Sequence, residues 1–367
     1  MAVLSKDFKK DYKKFVAKYN MVGSNVVVAD SEGEYITCST GFSSIETQEK
    51  SRPNNIYRIA SISKVVVAIG LLKLYDKGLV DIDDDISKYL GYIVRNPYYP
   101  TSKITLRMIM SQSSSIYDTI YDSANATDDY ITLQSILENK ETYLDSEPGK
   151  NFRYSNLGCG ILACVIEKIT HTYFPTYIKE EVLEPLGIKS GFRLEDLKYP
   201  DRLVSHYLYN PSTTGFTLYR DYDKFKEVQC LVYPLGDNYR GVAGGLYISS
   251  LDLYKIMQLL MHKGIYKDVR LLKEETVEEM EKVQWEGSSG DPTYKKKGLQ
   301  LIIMDEFTIS PLYGHFGNAY GLRSFMLYNE NGGMIFLCNG ANFLNDVEHM
   351  TVLQKDIIEF IVKEIKL

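Results

Sequence analysis

The sequence of 367 residues is poor in cysteine, and its few cysteines are scattered. They are Cys38, Cys159, Cys164, Cys230 and Cys338, an odd number without paired spacing, which is not the pattern of a disulfide framework. No Cys-x-x-Cys and no Cys/His cluster with ligand spacing occurs, so we expect no metal site. The cysteines are expected to be buried as small apolar side chains.

A surplus of positive charge and a long apolar run are also missing. The net charge is −6 and the pI is about 5.6, so neither nucleic acid nor anionic lipid is an expected partner. The N-terminal stretch MAVLSKDFKKDYKKFVAKYN is charged and amphipathic, which fits neither a signal peptide nor a membrane helix. As written, the chain is expected to be soluble and intracellular, although a removed export signal would leave the same sequence.

The hydrophobic pattern places strands near both ends of the chain and helices in the middle. A fraction of 44% hydrophobic residues is enough for one large domain or two coupled ones. Strands are predicted at 25–30 and 35–44 and in the last third of the chain, and helices at 6–20, 62–77, between 104 and 188, and at 350–367. Residues 200–240 have poor periodicity and are predicted to form loops and short strands.

This pattern predicts an α+β fold of the α/β sandwich type. The N- and C-terminal segments would form one antiparallel sheet flanked by the terminal helices, with a mostly helical lobe inserted into it. The predicted division is 1–77 with 240–367 for the sheet domain and 78–239 for the inserted lobe. A cleft between the two lobes would be the natural place for a site.

A hydroxyl and an amine stand one helical turn apart where the helix at 62–77 begins. Ser61 precedes Lys64 by three positions, which places both side chains on one helix face. Serine becomes a nucleophile when a base takes its proton, and a lysine is such a base when burial and a nearby cation favour its neutral form. The alternative, a surface lysine on an amphipathic helix, is weakened by the following valines.

Two further motifs have residues suited to the same chemistry. Tyr154 and Asn156 precede a helix, where a phenol can relay a proton and an amide can orient a lysine or a substrate carbonyl. His315 and Gly317 lie at a strand start, and the backbone N–H of Asn318 could donate to an oxyanion. Taken singly, the tyrosine could equally pack at a loop–helix junction, and the histidine could be an ordinary buried strand residue.

In order, Ser-x-x-Lys, Tyr-x-Asn and His-x-Gly resemble the motifs of the serine β-lactamase-like superfamily. The similarity is to its class C branch, with D,D-carboxypeptidase, D-aminopeptidase and esterase relatives. Further segments resemble the family in the same order, namely ITLRMIMSQSSS, PGKNFRYSNLG, VLEPLGI and GVAGGLYISSLDLYKIMQLL. The resemblance extends from about residue 24 to residue 345.

The resemblance implies a serine hydrolase that forms an acyl-enzyme without a cofactor. Ser61 would be the nucleophile, and Lys64 and Tyr154 would share the work of general base and proton relay. Asn156 would hold the lysine or the substrate amide, and Gly317 would open its strand to substrate. The backbone N–H groups of Ser61 and Asn318 would form the oxyanion hole. A β-lactam, a D-amino-acid peptide and a small ester are all possible substrates.

The sequence departs from the family pattern at two places. His315 stands where many members have lysine, and a histidine that is half charged near pH 7 would anchor a substrate carboxylate in a pH-dependent way. Arg323 is an alternative carboxylate anchor. Gln112 to Ser115 replace the usual His-Thr-Ser-Gly of the family. Two rival interpretations remain: a sensor that is acylated by a β-lactam or binds cell-wall peptide without turnover, and a scaffold without a site.

Overall fold

The computed structural model describes residues 7–125, 130–227, 232–319, 321–342 and 349–367. The helices are α1 (Phe8–Val16), α2 (Ser63–Asp76), α3 (Ser87–Leu90), α4 (Leu106–Met110), α5 (Thr119–Asn125), α6 (Leu133–Glu138), α7 (Asn156–Thr170), α8 (Phe174–Ile178), α9 (Tyr222–Glu227), α10 (Ser250–Met261), α11 (Glu274–Glu281) and α12 (Val352–Ile365). The strands are β1 (Gly23–Asp30), β2 (Tyr35–Ser44), β3 (Glu49–Lys50), β4 (Ile56–Arg58), β5 (His206–Asn210), β6 (Gly215–Arg220), β7 (Tyr247–Ser249), β8 (Ile265–Tyr266), β9 (Val269–Arg270), β10 (Trp285–Glu286), β11 (Lys296–Lys297), β12 (Ile302–Met304), β13 (Leu312–Ala319), β14 (Leu322–Asn329) and β15 (Gly332–Cys338).

The two ends of the chain meet in one antiparallel sheet of nine strands. Its order is β10-β11-β12-β13-β14-β15-β1-β2-β3. The joining pair is β1 with β15, in a register that sets Val27 opposite Ile335. Every residue of β15 is buried, as expected for a central strand covered on both faces. The predicted antiparallel sheet built from N- and C-terminal segments is confirmed.

The terminal helices α1 and α12 cover one face of the sheet. Phe8 and Tyr12 from α1 and Ile357 and Ile361 from α12 belong to one apolar cluster with sheet residues such as Phe336. At its N-terminus α12 has a capping box, in which Thr351 and Gln354 exchange hydrogen bonds. The expectation of flanking terminal helices is therefore met.

The opposite face of the sheet packs on α10, and this face belongs to one apolar cluster with α10, α2 and α7. Eleven of the 14 residues of α2 are buried, because its run of valine, isoleucine and leucine is apolar on all sides. Such a helix can only lie inside the protein, and it fixes the position of whatever its first turn presents. The helix is one residue shorter at each end than the predicted 62–77 and follows a 3₁₀ turn at 60–62.

The region between α2 and α10 is mostly helical, with one local difference from the prediction. Residues 200–240 contain the hairpin β5–β6, and they also contain the short helix α9, which the sequence pattern did not indicate. The division into lobes at 77/78 and 239/240 stays a prediction.

The cysteines that the structure describes are all buried and free. They are Cys38, Cys159, Cys164 and Cys338, while Cys230 lies outside the described residues. Burial raises the pKa of Cys159 to about 12, so this thiol is not a reactive thiolate at neutral pH. In the described ranges, no helix combines the length and the apolar character needed to cross a membrane.

Candidate active site

Ser61 lies at the centre of the 3₁₀ turn that leads into α2. Ala60, just before it, has a φ of +49°, a left-handed conformation that residues with a Cβ rarely adopt. Gly244 faces this residue, and a Cβ added there would lie 3.4 Å from the Ala60 Cα. The strained turn thus packs against the loop that contains Gly244. Ser61 is partly exposed there and lines a cavity.

Lys64 is completely buried one turn further along. Its Nζ donates to Ser61 Oγ at 3.0 Å, to Asn156 Oδ1 at 2.9 Å and to the Ala243 carbonyl at 3.1 Å. A buried amine must have its hydrogens satisfied, and these three acceptors do so. The spacing that placed hydroxyl and amine on one helix face therefore gives a direct hydrogen bond.

Tyr154 approaches Ser61 from the N-terminus of α7. Its hydroxyl donates to Ser61 Oγ at 2.8 Å, and its ring centroid lies 4.9 Å from Lys64 Nζ. Ser61 Oγ thus accepts from both Lys64 and Tyr154. The structure brings together the four residues of the first two motifs, Ser61, Lys64, Tyr154 and Asn156.

A buried carboxylate that sequence analysis missed holds the second motif in place. Asp118 accepts from Ser155 Oγ at 2.7 Å, from the Asn156 N–H at 2.7 Å and from the Leu157 N–H at 3.1 Å. A carboxylate at a helix N-terminus satisfies N–H groups that have no partner within the helix. Asp118 therefore fixes the orientation of Asn156 at the first turn of α7. Its only sequence signal was an aspartate in the polar run SSSIYD.

The third motif lies on β13, which packs against the 3₁₀ turn of Ser61. A Cβ at Gly317 would lie 2.4 Å from the Ile59 carbonyl oxygen and 2.5 Å from Ser324 Oγ. Glycine here therefore lets the nucleophile turn approach the strand, and the expected approach of a substrate to Gly317 stays a prediction. The Asn318 side chain is held by the His349 carbonyl and by Gln354 Nε2, the latter at 2.7 Å.

His315 differs from its expected role as a charged anchor. It is fully buried and does not line the cavity beside Ser61. Burial, and then the charges of Lys297 and Lys64, hold the pKa of His315 well below its usual value. The expectation that His315 is half charged near pH 7 is therefore wrong, because it took no account of the burial of this side chain. Arg323 also does not line this cavity, and its Nη1 donates to the Leu322 carbonyl at 2.7 Å.

The cavity beside Ser61 has a volume of about 300 Å³. Four predicted site residues line it, namely Ser61, Tyr154, Asn156 and Asn318. It is also lined by residues that sequence analysis did not single out, namely Arg58, Ala60, Tyr121, Asp122, Gly241, Ala243, Gly244, Ala319 and His349. The predicted residues that do not line it are Lys64, His315 and Gly317.

A second cavity of about 310 Å³ shares Arg58 and Gly241 with the first. Five aromatic residues line it, Tyr173, Phe174, Phe192, Tyr233 and Tyr247, together with the arginines Arg58, Arg193 and Arg240. The second cavity thus offers aromatic surface for an apolar group beside the walls that it shares with the first. Within the described ranges, no group of three or more His, Cys, Asp or Glu side chains could hold a metal ion.

Comparison with protein families gives a match over nearly the whole chain. The model of the family described as Beta-lactamase matches residues 8–357. The chain belongs to the Beta-lactamase family. This confirms the resemblance drawn from the three motifs, and membership in this superfamily supports a hydrolase.

Curated relatives of this β-lactamase-family chain are distant. Protein flp of Staphylococcus aureus (strain MRSA252) is 25% identical over 170 residues, which are 46% of this chain and 34% of that protein. A penicillin-binding protein of Bacillus subtilis (strain 168) is 25% identical over 277 residues, covering 69% of this chain and 58% of that protein. The chain thus spans well under two thirds of the length of these relatives.

Solved structures with the same fold cover more of the chain. The D-amino acid amidase from Ochrobactrum anthropi SV3, complexed with D-phenylalanine, has a TM-score of 0.73 and 20% identity over 98% of this chain and 97% of that one. The octameric penicillin-binding protein homologue from Pyrococcus abyssi has a TM-score of 0.72 and 23% identity over 91% of this chain and 73% of that one. At these identities the likeness shows the fold.

Proposed function

We propose that the protein is a serine hydrolase that forms an acyl-enzyme at Ser61 on an amide, lactam or ester carbonyl. The observation that carries the proposal is the arrangement around Ser61 Oγ, which accepts from Lys64 Nζ at 3.0 Å and from Tyr154 OH at 2.8 Å. A nucleophile within hydrogen-bond reach of two proton carriers, at the wall of a cavity, is the arrangement that acyl transfer needs. Family membership supports the same class of reaction.

In the proposed reaction, Ser61 Oγ bonds to the substrate carbonyl carbon while its proton passes to the amine of Lys64, which accepts it in its unprotonated form. The tetrahedral intermediate then breaks the bond to the leaving amine or alcohol, which receives that proton through the Tyr154 hydroxyl. Water attacks the acyl-enzyme in the second half, and the same groups take and return its proton. Asn156 keeps Lys64 directed at Ser61 throughout, because its amide oxygen accepts at 2.9 Å.

The oxyanion hole in this proposal consists of the backbone N–H groups of Ser61 and Asn318. Asn318 lines the same cavity as Ser61, and β13 packs directly on the nucleophile turn. Preorganised donors at this place would stabilise the negative oxygen of the intermediate. Gly317 supports this geometry by its lack of a Cβ, and His315 supports it as a neutral buried side chain of the same strand.

The proposed substrates are D-amino-acid amides and peptides, β-lactams and small esters, for D-aminopeptidase-like, D,D-peptidase-like or esterase activity. The D-amino acid amidase and penicillin-binding relatives support the first two classes. The aromatic cavity next to the site favours an apolar side chain. We therefore expect D-phenylalanine amide to react faster than D-alanine amide.

The deciding experiment is active-site labelling followed by a substrate panel. A fluorophosphonate should label the wild type and should not label Ser61→Ala, whose thermal unfolding shows that it is folded. Nitrocefin, D-alanyl-D-alanine peptides, D-amino-acid amides and p-nitrophenyl esters then identify the substrate class. A wild type that is acylated by these compounds without releasing product would identify the alternative, a sensor. Equal labelling of Ser61→Ala would refute the nucleophile.

Tyr154→Phe tests the proton relay because it removes one hydroxyl and leaves the ring. We expect acylation to slow by about 100-fold or more, the typical contribution of general acid–base catalysis. Tyr143→Phe is a matched control, since its hydroxyl donates to the Leu137 carbonyl at 2.7 Å away from the cavity. If Tyr154→Phe and Tyr143→Phe are acylated at the same rate, the Tyr154 hydroxyl does not relay the proton.

A further inference from the structure

A second lysine is buried near the candidate site and has no role in the mechanism above. Lys297 is 0% exposed, and its Nζ has no hydrogen-bond partner among the described residues. On its strand, β11, it pairs with Trp285 on one side and Ile302 on the other, neither of which is charged. A buried amine without an acceptor lowers the stability of the folded state, so its presence favours a functional role for Lys297.

The position of Lys297 relates it to the proposed proton carriers. Its Nζ lies 5.8 Å from the ring centroid of Tyr294, and that ring lies 5.6 Å from the ring of Tyr154. Lys64 Nζ lies 4.9 Å from the Tyr154 ring centroid. Two amines therefore flank one pair of phenol rings, with Ser61 on the side of Lys64.

Three titratable side chains near this pair, His315, His349 and Tyr294, are neutral near pH 7. His315 on β13 is buried and His349 before α12 is half-buried, and each has an Nε2 without a partner in the described part of the chain. The pKa of His315 lies well below its usual value, burial lowers the pKa of His349 to about 4, and burial raises the pKa of Tyr294. Asp291 accepts from the backbone N–H of His349 at 2.9 Å. Its charge works to raise the pKa of His349 and that of Tyr294.

Lys297 differs from these neighbours because its charge can change in the neutral range. Burial, and then the charge of Lys64, lower the pKa of Lys297 to about 7. Two ammonium groups in one buried region repel each other, so a charge on Lys64 favours the neutral form of Lys297. The amine of Lys64 has three acceptors, whereas that of Lys297 has none among the described residues.

We propose, on the basis of the hydrolase function proposed above, that Lys297 is a positioning residue that takes up positive charge so that Lys64 can act as the base for Ser61. With one proton shared by the pair, the charge can reside on Lys297 while neutral Lys64 accepts the proton of Ser61. That proton then leaves through Tyr154 to the leaving group, and the pair returns to one proton. With both lysines protonated, Lys64 has no lone pair to offer.

The reactivity of Ser61 should therefore depend on pH through the charge state of Lys297. The labelling rate of the wild type should rise as the pH increases through about 7 and then level off, because the pair loses the first of its two protons there. In Lys297→Met, no second amine is present to take up the positive charge while Lys64 acts as the base. The rising limb of Lys297→Met should therefore move upward by at least one pH unit.

The experiment measures fluorophosphonate labelling of Ser61 by mass spectrometry between pH 5.5 and 9.5. Lys297→Met should label at least tenfold more slowly than the wild type at pH 7.5 and approach it above pH 9. Lys296→Met is the matched control, because this neighbouring lysine points to Asp305, with Nζ 2.7 Å from Oδ2, and should leave the profile unchanged. A Lys297→Met profile that coincides with the wild type overturns the inference and leaves the hydrolase function intact.

A second measurement does not depend on a folded variant or on activity. In wild-type protein labelled with ε-¹⁵N-lysine, one amine should titrate near pH 7, well below the others. If no amine titrates there, the inference is overturned. A wild type that the fluorophosphonate does not label at any pH refutes the hydrolase function itself, and the inference with it, so the two failures are distinguishable.

Discussion

Replacing Lys297 by methionine should make the protein more stable at neutral pH, although it should lower the rate at which Ser61 is labelled by a fluorophosphonate. Methionine is close to lysine in length and removes an amine that is buried without a hydrogen-bond acceptor. A residue with only a structural role would lose packing and stability when replaced. Opposite changes in stability and reactivity are thus the signature of an amine that is kept for its charge.

The size of the effect follows from the depressed pKa. In the folded protein the pKa of Lys297 is about 7, and in the unfolded chain it is about 10.4. Between these values the unfolded chain binds more protons, so the free energy of unfolding rises with pH by about 1.4 kcal/mol per unit. The destabilisation is complete below pH 7 and disappears above about pH 10.4. The advantage of Lys297→Met should therefore shrink by about 2–3 kcal/mol from pH 7.5 to 9.5.

The assay is urea unfolding of the wild type, Lys297→Met and Lys296→Met at both pH values. Other groups also titrate in this range, and Cys159, whose pKa burial raises to about 12, is one of them. These groups are common to all three proteins and cancel in the difference between variants. A difference between Lys297→Met and the wild type that stays the same at pH 7.5 and 9.5, or a variant that is less stable at both, would refute the reasoning.

Three more outcomes are expected around the site. Asp118→Ala removes a buried carboxylate with three donors, so it should lower the free energy of unfolding by about 2–4 kcal/mol in urea and slow labelling of Ser61 at least tenfold. Gly317→Ala places a Cβ against the Ile59 carbonyl and should lower stability by about 1–3 kcal/mol together with the labelling rate; unchanged labelling would contradict the close approach of β13 and the nucleophile turn. The ¹⁵N-imidazole signals of His315 should not titrate between pH 5 and 8, because its pKa lies well below its usual value, and a midpoint in that range would contradict its burial.

Local spacing in the sequence predicted the parts of the site that depend on one helix or one short motif. Ser61 and Lys64 are three positions apart, and helix geometry alone brings their side chains together. The order of strands and helices predicted the antiparallel sheet, because β-rich segments at the two ends of a chain can join into one sheet that the terminal helices cover. The hydrogen bond from Tyr154 to Ser61 needed the resemblance to a family, since 93 residues separate the two.

The remaining parts depend on tertiary burial, which local patterns do not reveal. Lys297 is the last residue of KKK, a run that ordinarily indicates a solvated surface, and only its place on β11 and the packing around it bury it. His315 loses its expected charge for the same reason. Asp118 is important because of N–H groups that lie 38 and 39 positions further along the chain.

The pairing of β1 with β15 has a consequence for how the protein is made. Val27 on β1 and Ile335 on β15 face each other across the middle of the sheet, so β1 leaves the ribosome long before its partner β15 has been synthesised. Until then β1 can pair only with β2, which leaves one edge open to other chains. A nascent chain stalled before β15 should therefore be prone to aggregation, and Ser61 should become reactive only after synthesis has passed that strand.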